Sequence, residues 1–283
     1  MRKKFLFFTF VFCLCFFVNL VGMKFAFASS HEQNFITFEK SIDEVANKIT
    51  WSGKHNFQDV EFVENEMVGD ETVYARAWYD DYYLVIRAYT DKTWSKSYVL
   101  GFWTSSEELT FVNGIKVGSS IEKAKAFFGK SLHPSSLKNV YLVYREEESD
   151  APGEIIFSTE NNRISSIGYI TWDNMTSKMR FLYSLYDDLY FAEVTGDKVN
   201  VRENIGYGLG KGKVSFQVSK SKRDCLLVYP ENPGEGWCYI GARIVNNVCK
   251  PMGIHYYISR KFLKIRKLSI SERNLYISQF LKR

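Results

Sequence analysis

Residues Val199-Asn200-Val201-Arg202 alternate apolar and polar side chains directly after a Gly196-Asp197 turn. Successive side chains on a strand point to opposite faces, so this alternation marks a strand with one face buried. Short runs of the same kind return at Cys225–Tyr229, Trp237–Ile240 and Tyr256–Ser259. Glycine and proline break them about every eight to twelve residues, the rhythm of a small barrel or sandwich. Such a domain buries its apolar face with few long elements. The pattern therefore restricts the C-terminal third to an all-β architecture.

The preceding part reads differently. In "SIDEVANKI", Ser41 and Glu44 have capping-box spacing, and Ile42, Val45 and Ile49 recur on one helical face, which predicts a short helix starting at Ser41. Four β-rich runs follow, at Val60–Val63, Thr72–Trp78, Tyr82–Tyr89 and Ser97–Trp103. The Tyr79-Asp80-Asp81-Tyr82 step between two of them reads as a tight hairpin, because Asp tolerates turn geometry. "NGIKVGSSIEKAKAFFGK" then gives a turn at Asn113-Gly114, a short strand, and a helix capped by Ser119 with Glu122 in capping-box spacing. Ala124, Phe127 and Phe128 supply its apolar face, and Gly129 stops it, since glycine accepts the left-handed conformation after a last turn. Strands at Val140–Tyr144, Glu154–Phe157 and Arg163–Trp172 complete a second helix-then-meander unit. Residues 176–190 read as a helical linker.

The chain opens with Arg2, Lys3 and Lys4, an apolar run from Phe5 to Met23, and Ala26-Phe27-Ala28. These are the parts of a secretory signal, with cleavage expected after Ala28. A retained anchor is the alternative, since roughly 20 apolar residues span a bilayer. Either way the rest of the chain is expected outside the cytoplasm. Charge is unevenly divided. Residues 29–189 hold 16 basic and 25 acidic residues, and residues 190–283 hold 17 basic and 7 acidic. An acidic module joined to a basic one is implied, the basic one drawn to anionic surfaces over about a Debye length.

Two resemblances refine this picture. Residues 114–129, beginning Gly114-Ile115-Lys116-Val117-Gly118-Ser119-Ser120-Ile121, resemble bacterial envelope proteins built like the β-lactamase inhibitor protein and the small outer-membrane assembly lipoproteins. That resemblance implies a helix packed on an antiparallel sheet, and proteins that bind or scaffold other molecules. "GDKVNVREN" with "CLLVY", "PENPGEG", "WCYI" and Tyr256–Leu263 resembles a bacterial SH3-like domain, taken in order along about seventy residues. The chain departs from that pattern with Glu203-Asn204-Ile205 after the arginine, Tyr256 before the closing aromatic, and an extra segment from Ala242 to Pro251. The resemblance implies recognition of a cell-envelope component, such as a peptidoglycan peptide. Arg202 would pair with a carboxylate, while Tyr207, Trp237 and Tyr257 would offer aromatic faces.

Cys225, Cys238 and Cys249 follow the leader, all in the basic part. An oxidising compartment permits one disulfide and leaves one thiol over. Spacing does not identify the pair, but the hairpin expected from the SH3-like pattern would set Cys225 opposite Cys238.

Catalytic patterns are weak. Asp224-Cys225 resembles the aspartate-cysteine step of cell-wall cysteine peptidases, yet Leu226-Leu227-Val228 continues as a buried strand, and His255 is the one histidine in that part. His31, His55, His133 and His255 are scattered, and Glu146-Glu147-Glu148 with Asp150 reads as a solvated loop, so no metal and no cofactor is expected. The glycine-rich stretch from Gly206 to Gly212 joins no strand to a helix in a phosphate-binding pattern and reads as a loop beside Tyr207. "SRKFLKIRKLSISERN" interleaves cations with apolar residues that would close the barrel.

The expected protein is α+β: a signal segment (1–28), a helix-on-antiparallel-sheet domain (29–175), a helical linker (176–190) and an all-β SH3-like small barrel (191–283). It would bind a cell-wall peptide or an envelope protein without catalysis. No nucleic acid is expected, and membrane contact would come only through an uncleaved leader or the basic tail. The alternative is a structural protein whose basic barrel docks on its own acidic domain or on a protein partner.

Overall fold

The computed structural model describes residues 32–54, 56–62, 73–89, 97–135, 138–145, 153–171, 176–203, 212–230, 236–252 and 256–282. Residues 1–28, expected to be a signal segment, and Tyr207 lie outside them. In chain order the elements are α1 (residues 32–50), β1 (Asn56–Phe62), β2 (Val73–Asp80), β3 (Tyr83–Tyr89), β4 (Ser97–Thr104), α2 (Ile121–Phe128), β5 (His133–Pro134), β6 (Val140–Tyr144), β7 (Gly153–Glu160) and β8 (Arg163–Thr171). Then come α3 (Ser177–Asp187), β9 (Tyr190–Val194), β10 (Val199–Glu203), β11 (Val214–Val218), β12 (Cys225–Tyr229), β13 (Trp237–Val245), β14 (Val248–Pro251), β15 (Tyr256–Ser259), β16 (Leu263–Lys267) and α4 (Ile270–Leu281). The fold is mixed helix and sheet, and every strand pairing within each compact unit is antiparallel. Backbone contacts gather the chain into two such units: Met1–Lys48 with Ser105–Trp172, and Ile49–Thr104 with Asp173–Arg283.

In the first unit, β5, β6, β7 and β8 pair in sequence order. The β7–β8 turn is two residues, Asn161 and Asn162, both left-handed, as a tight hairpin requires. Phe38 of α1 anchors the core. Its ring stacks on Phe111 at 5.5 Å and meets Phe157 of β7 edge-on at 5.6 Å, with Phe128 of α2 at 5.3 Å. Two expected caps are corrected. α1 does not start at Ser41: it runs through it, and the Ser41 hydroxyl donates to the Phe38 carbonyl at 2.7 Å. Phe35 and Phe38 extend the apolar face of Ile42 by two turns, and their complete burial outweighs the preference of serine for a helix end. The cap of α2 is Ser120, whose side chain accepts the Glu122 N–H, one residue later than expected. Gly129 ends α2 with φ of 59°, as expected.

In the second unit, β1 to β4 form a meander joined at β2–β3 by Asp81 and Tyr82. All seven positions of β3 are buried, so it is a central strand covered on both faces. α3 begins at Thr176, whose side chain accepts the Met179 N–H, and Tyr186 of α3 lies 4.8 Å from the Trp103 ring. The remaining strands run β11-β10-β15-β13-β12-β9-β16, with β14 paired to β13. The path runs from β11 to β16, and no closed barrel is found among the described residues. Val194, Val201, Leu226, Val228, Cys238, Ile240 and Ile258 fill the core on one side of it.

Two further expectations are corrected here, and one is given its structure. The basic tail does not end in a strand: Leu263–Lys267 forms the end strand β16, and a helix, α4, follows. That helix opens with a complete capping box, Ser269 and Glu272 each bonding the other's backbone N–H. Cys225 does not face Cys238. Its partner across β12–β13 is Ile244, six residues further on, and all three cysteines are free thiols. The extra segment Ala242–Pro251 is a hairpin, with β13 running on to Val245 and turning back at Asn246 and Asn247, both left-handed.

Candidate functional site

Strand register builds the site. Arg202 of β10 stands opposite Tyr257 of β15, Tyr257 opposite Tyr239 of β13, and Tyr239 opposite Tyr229 of β12. Residues directly opposed on paired strands project to one side with Cα atoms about 4.5–5.5 Å apart. These four side chains therefore form a row across four strands. Their neighbours Val201, Ile258, Cys238, Ile240 and Val228 point the other way, into the core. Trp237, two residues before Tyr239, falls on the same side as the row, in the next row with Ser259.

The row is graded in exposure. Tyr257 is 8% exposed, its ring 4.5 Å from that of Tyr239, so it forms a floor more than an open face. Arg202, Trp237 and Tyr239 are half-buried. An η nitrogen of Arg202 donates to the Gly212 carbonyl at 2.7 Å, which fixes the plane of the guanidinium. At the far end, the Tyr229 hydroxyl is 3.0 Å from the Ser184 hydroxyl of α3. Burial pushes the Tyr229 phenol up to about 12, so it stays protonated and able to donate. Gly241 makes room for its ring: a Cβ there would lie 3.1 Å from Tyr229 Cε2 and 2.7 Å from Leu189 Cδ2.

Of the residues singled out in the sequence, Arg202, Trp237 and Tyr257 thus meet on one side of three adjacent strands. Tyr239 and Tyr229 were missed. Tyr239 was open to discovery, since it sits two places from Trp237 on an alternating strand and must share its face.

Burial raises the Cys225 thiol above its ordinary range, with Glu193 adding to the effect, the reverse of thiolate activation. Asp224 is committed elsewhere, accepting the Ser219 N–H at 2.8 Å and the Arg243 guanidinium at 2.9 Å. Cys238 is a core side chain. Among the described residues, no three His, Cys, Asp or Glu side chains gather as a metal site would require, and no helix is long and apolar enough to cross a membrane. No family model matches the chain, and no curated protein matches it either.

Proposed function

We propose that the C-terminal strands form an SH3-like module of an exported, non-enzymatic protein that recognises a cell-envelope component, most simply a carboxylate-bearing wall peptide. The observation that carries this reading is the direct register of Arg202, Tyr257 and Tyr239 across three adjacent strands, with Trp237 beside them. A planar guanidinium held in place suits a carboxylate bidentately. Aromatic rings alongside it offer flat, low-entropy contact to the peptide groups on either side. The order of β15, a 3-10 turn at Arg260–Phe262 and β16 supports the SH3-like reading, because it repeats the closing strand and single turn of that pattern.

The test is sedimentation of the purified protein with isolated cell walls. Wall-bound protein should fall at least tenfold in Arg202→Ala and in Trp237→Ala, and free wall peptide should compete. No retention of the unaltered protein at low salt would remove the reading.

A further inference from the structure

A second surface shares no residue with the aromatic row. It is built by three turns that are hydrogen-bonded to one another. Lys220 N–H donates to the Gly196 carbonyl at 2.8 Å, and Thr195 N–H donates to the Phe262 carbonyl at 2.9 Å. Lys198 N–H donates to the Ser219 hydroxyl at 2.9 Å, and Ser221 N–H donates to the Asp197 carboxylate at 2.8 Å. Lys198 and Arg223 both adopt left-handed backbone, with φ of 53° and 52°. The segments 195–198, 219–223 and 260–262 are thereby locked side by side.

This brings together Lys198, Lys220, Lys222, Arg223 and Lys261, all exposed. None of the five has an ion-pair partner among the described residues. Other cations of the same sheet do: Arg243 holds Asp224 at 2.9 Å and Arg266 holds Glu272 at 2.6 Å. The one carboxylate within the three turns is Asp197, which accepts the Ser221 N–H at 2.8 Å and offsets part of the positive charge of nearby Lys220, leaving the cations in excess. Glu193 stands across from Lys264 in the neighbouring strands. Five like charges on adjoining turns repel, and the backbone bonds hold them there against that repulsion.

We propose that this face seats the protein on an anionic lipid surface. Four of the five cations are lysines, compact point charges that respond to charge density and do not define the geometry of one phosphate. The ring present in these turns, Phe262, is half-buried with the Lys261 ammonium 4.9 Å above its centre. It offers no open face on which a nucleic-acid base could stack. A plane of anionic headgroups matches a spread of unpaired lysines, each contributing separately.

The experiment is co-sedimentation of the full chain with vesicles of phosphatidylcholine alone and of phosphatidylcholine mixed with phosphatidylglycerol, whose anionic headgroups give the surface a negative potential. Residues 5–23 and the neighbouring Arg2, Lys3 and Lys4 are the same in every variant, so the loss between variants reports the patch. The expected result is a preference for anionic vesicles that salt abolishes, reduced roughly a hundredfold in Lys198→Glu/Lys222→Glu/Lys261→Glu. The variant Lys54→Glu/Lys116→Glu/Lys130→Glu makes the same change in net charge at exposed sites elsewhere and should retain the preference. Equal binding to both vesicles overturns the proposal. So does equal loss in both variants, which would mean net charge alone is read. Capture by soluble polyphosphate without any preference for anionic vesicles overturns it too, in favour of a polymer partner.

Discussion

Replacing Glu272 with Gln probes the junction of β16 and α4. The Glu272 carboxylate accepts two bonds from the Arg266 guanidinium, at 2.6 and 2.7 Å, and bonds the Ser269 N–H and hydroxyl at 3.0 and 2.7 Å. It also lies in the first turn of α4, where the helix dipole favours negative charge. Arg266, first among these causes, holds the carboxyl down from 4.5 to about 2. Undiscounted, that displacement corresponds to roughly 3 kcal/mol of linkage. The Arg266 side chain is 46% exposed, however, so water and salt screen the pair. An exposed pair of good geometry and a capping box together leave about 1–2 kcal/mol. The sign follows from the direction. A folded carboxyl more acidic than the unfolded one stabilises fully above the unfolded value of 4.5, and the contribution fades as pH falls toward about 2. Urea unfolding followed by tryptophan fluorescence should therefore separate the wild type from Glu272→Gln by about 1–2 kcal/mol at pH 7, and the gap should close on going from pH 5 to pH 2.5. A gap that stays constant over that range would refute the reasoning, because it would come from packing and not from the ionised carboxylate.

Ser120→Ala should destabilise by about 1 kcal/mol in thermal or denaturant unfolding, and Ser119→Ala by under about 0.5 kcal/mol, since Ser120 alone caps α2. Gly241→Ala places a methyl 2.7 Å from Leu189 and should cost about 1–3 kcal/mol by overpacking; unchanged stability would show that the Tyr229 contact yields easily. Alkylation of denatured, unreduced protein should modify Cys225, Cys238 and Cys249 alike, read by peptide mass, because all three are free. In native protein Cys225 alone should react, slowly near neutrality and faster as pH rises, because its thiol sits above the ordinary range; a mass matching a Cys225–Cys238 bridge would contradict the register.

Local signals served the sequence reading well where one short segment decides the outcome. The Asp81-Tyr82 turn needs only two alternating flanks around it, and the stop at Gly129 needs only a residue at ease with positive φ. α1 shows the limit of such signals. Ser41 and Glu44 satisfy the local pattern of a helix start, but Phe35 and Phe38 gain more by burial in a core whose other members lie seventy to one hundred and twenty residues away. α4 was readable, because Ser269 and Glu272 have the same spacing that was trusted elsewhere; the alternation of Leu263–Lys267 hid it by suggesting that strand continued. The site was legible as individual residues and not as a group. Arg202, Trp237 and Tyr257 carry their chemistry on their faces, yet which residue opposes which depends on strand order and on the register shifts at Val201/Arg202 and Leu227/Val228. The expected cysteine register failed for that reason, since Cys225 stands opposite Ile244 and not Cys238.

Gln279 of α4 has a wider consequence. Its side-chain oxygen accepts the Cys249 N–H at 3.0 Å and its amide donates to the Asn247 carbonyl at 2.8 Å. One glutamine thus occupies the outer rim of β14, where another extended chain would otherwise dock and template its own addition. Molecules truncated before Gln279 would leave that rim bare. Protection of this rim against strand addition then rests on a residue outside the sheet, so copies in which Gln279 is not yet made or has been clipped away are the ones at risk.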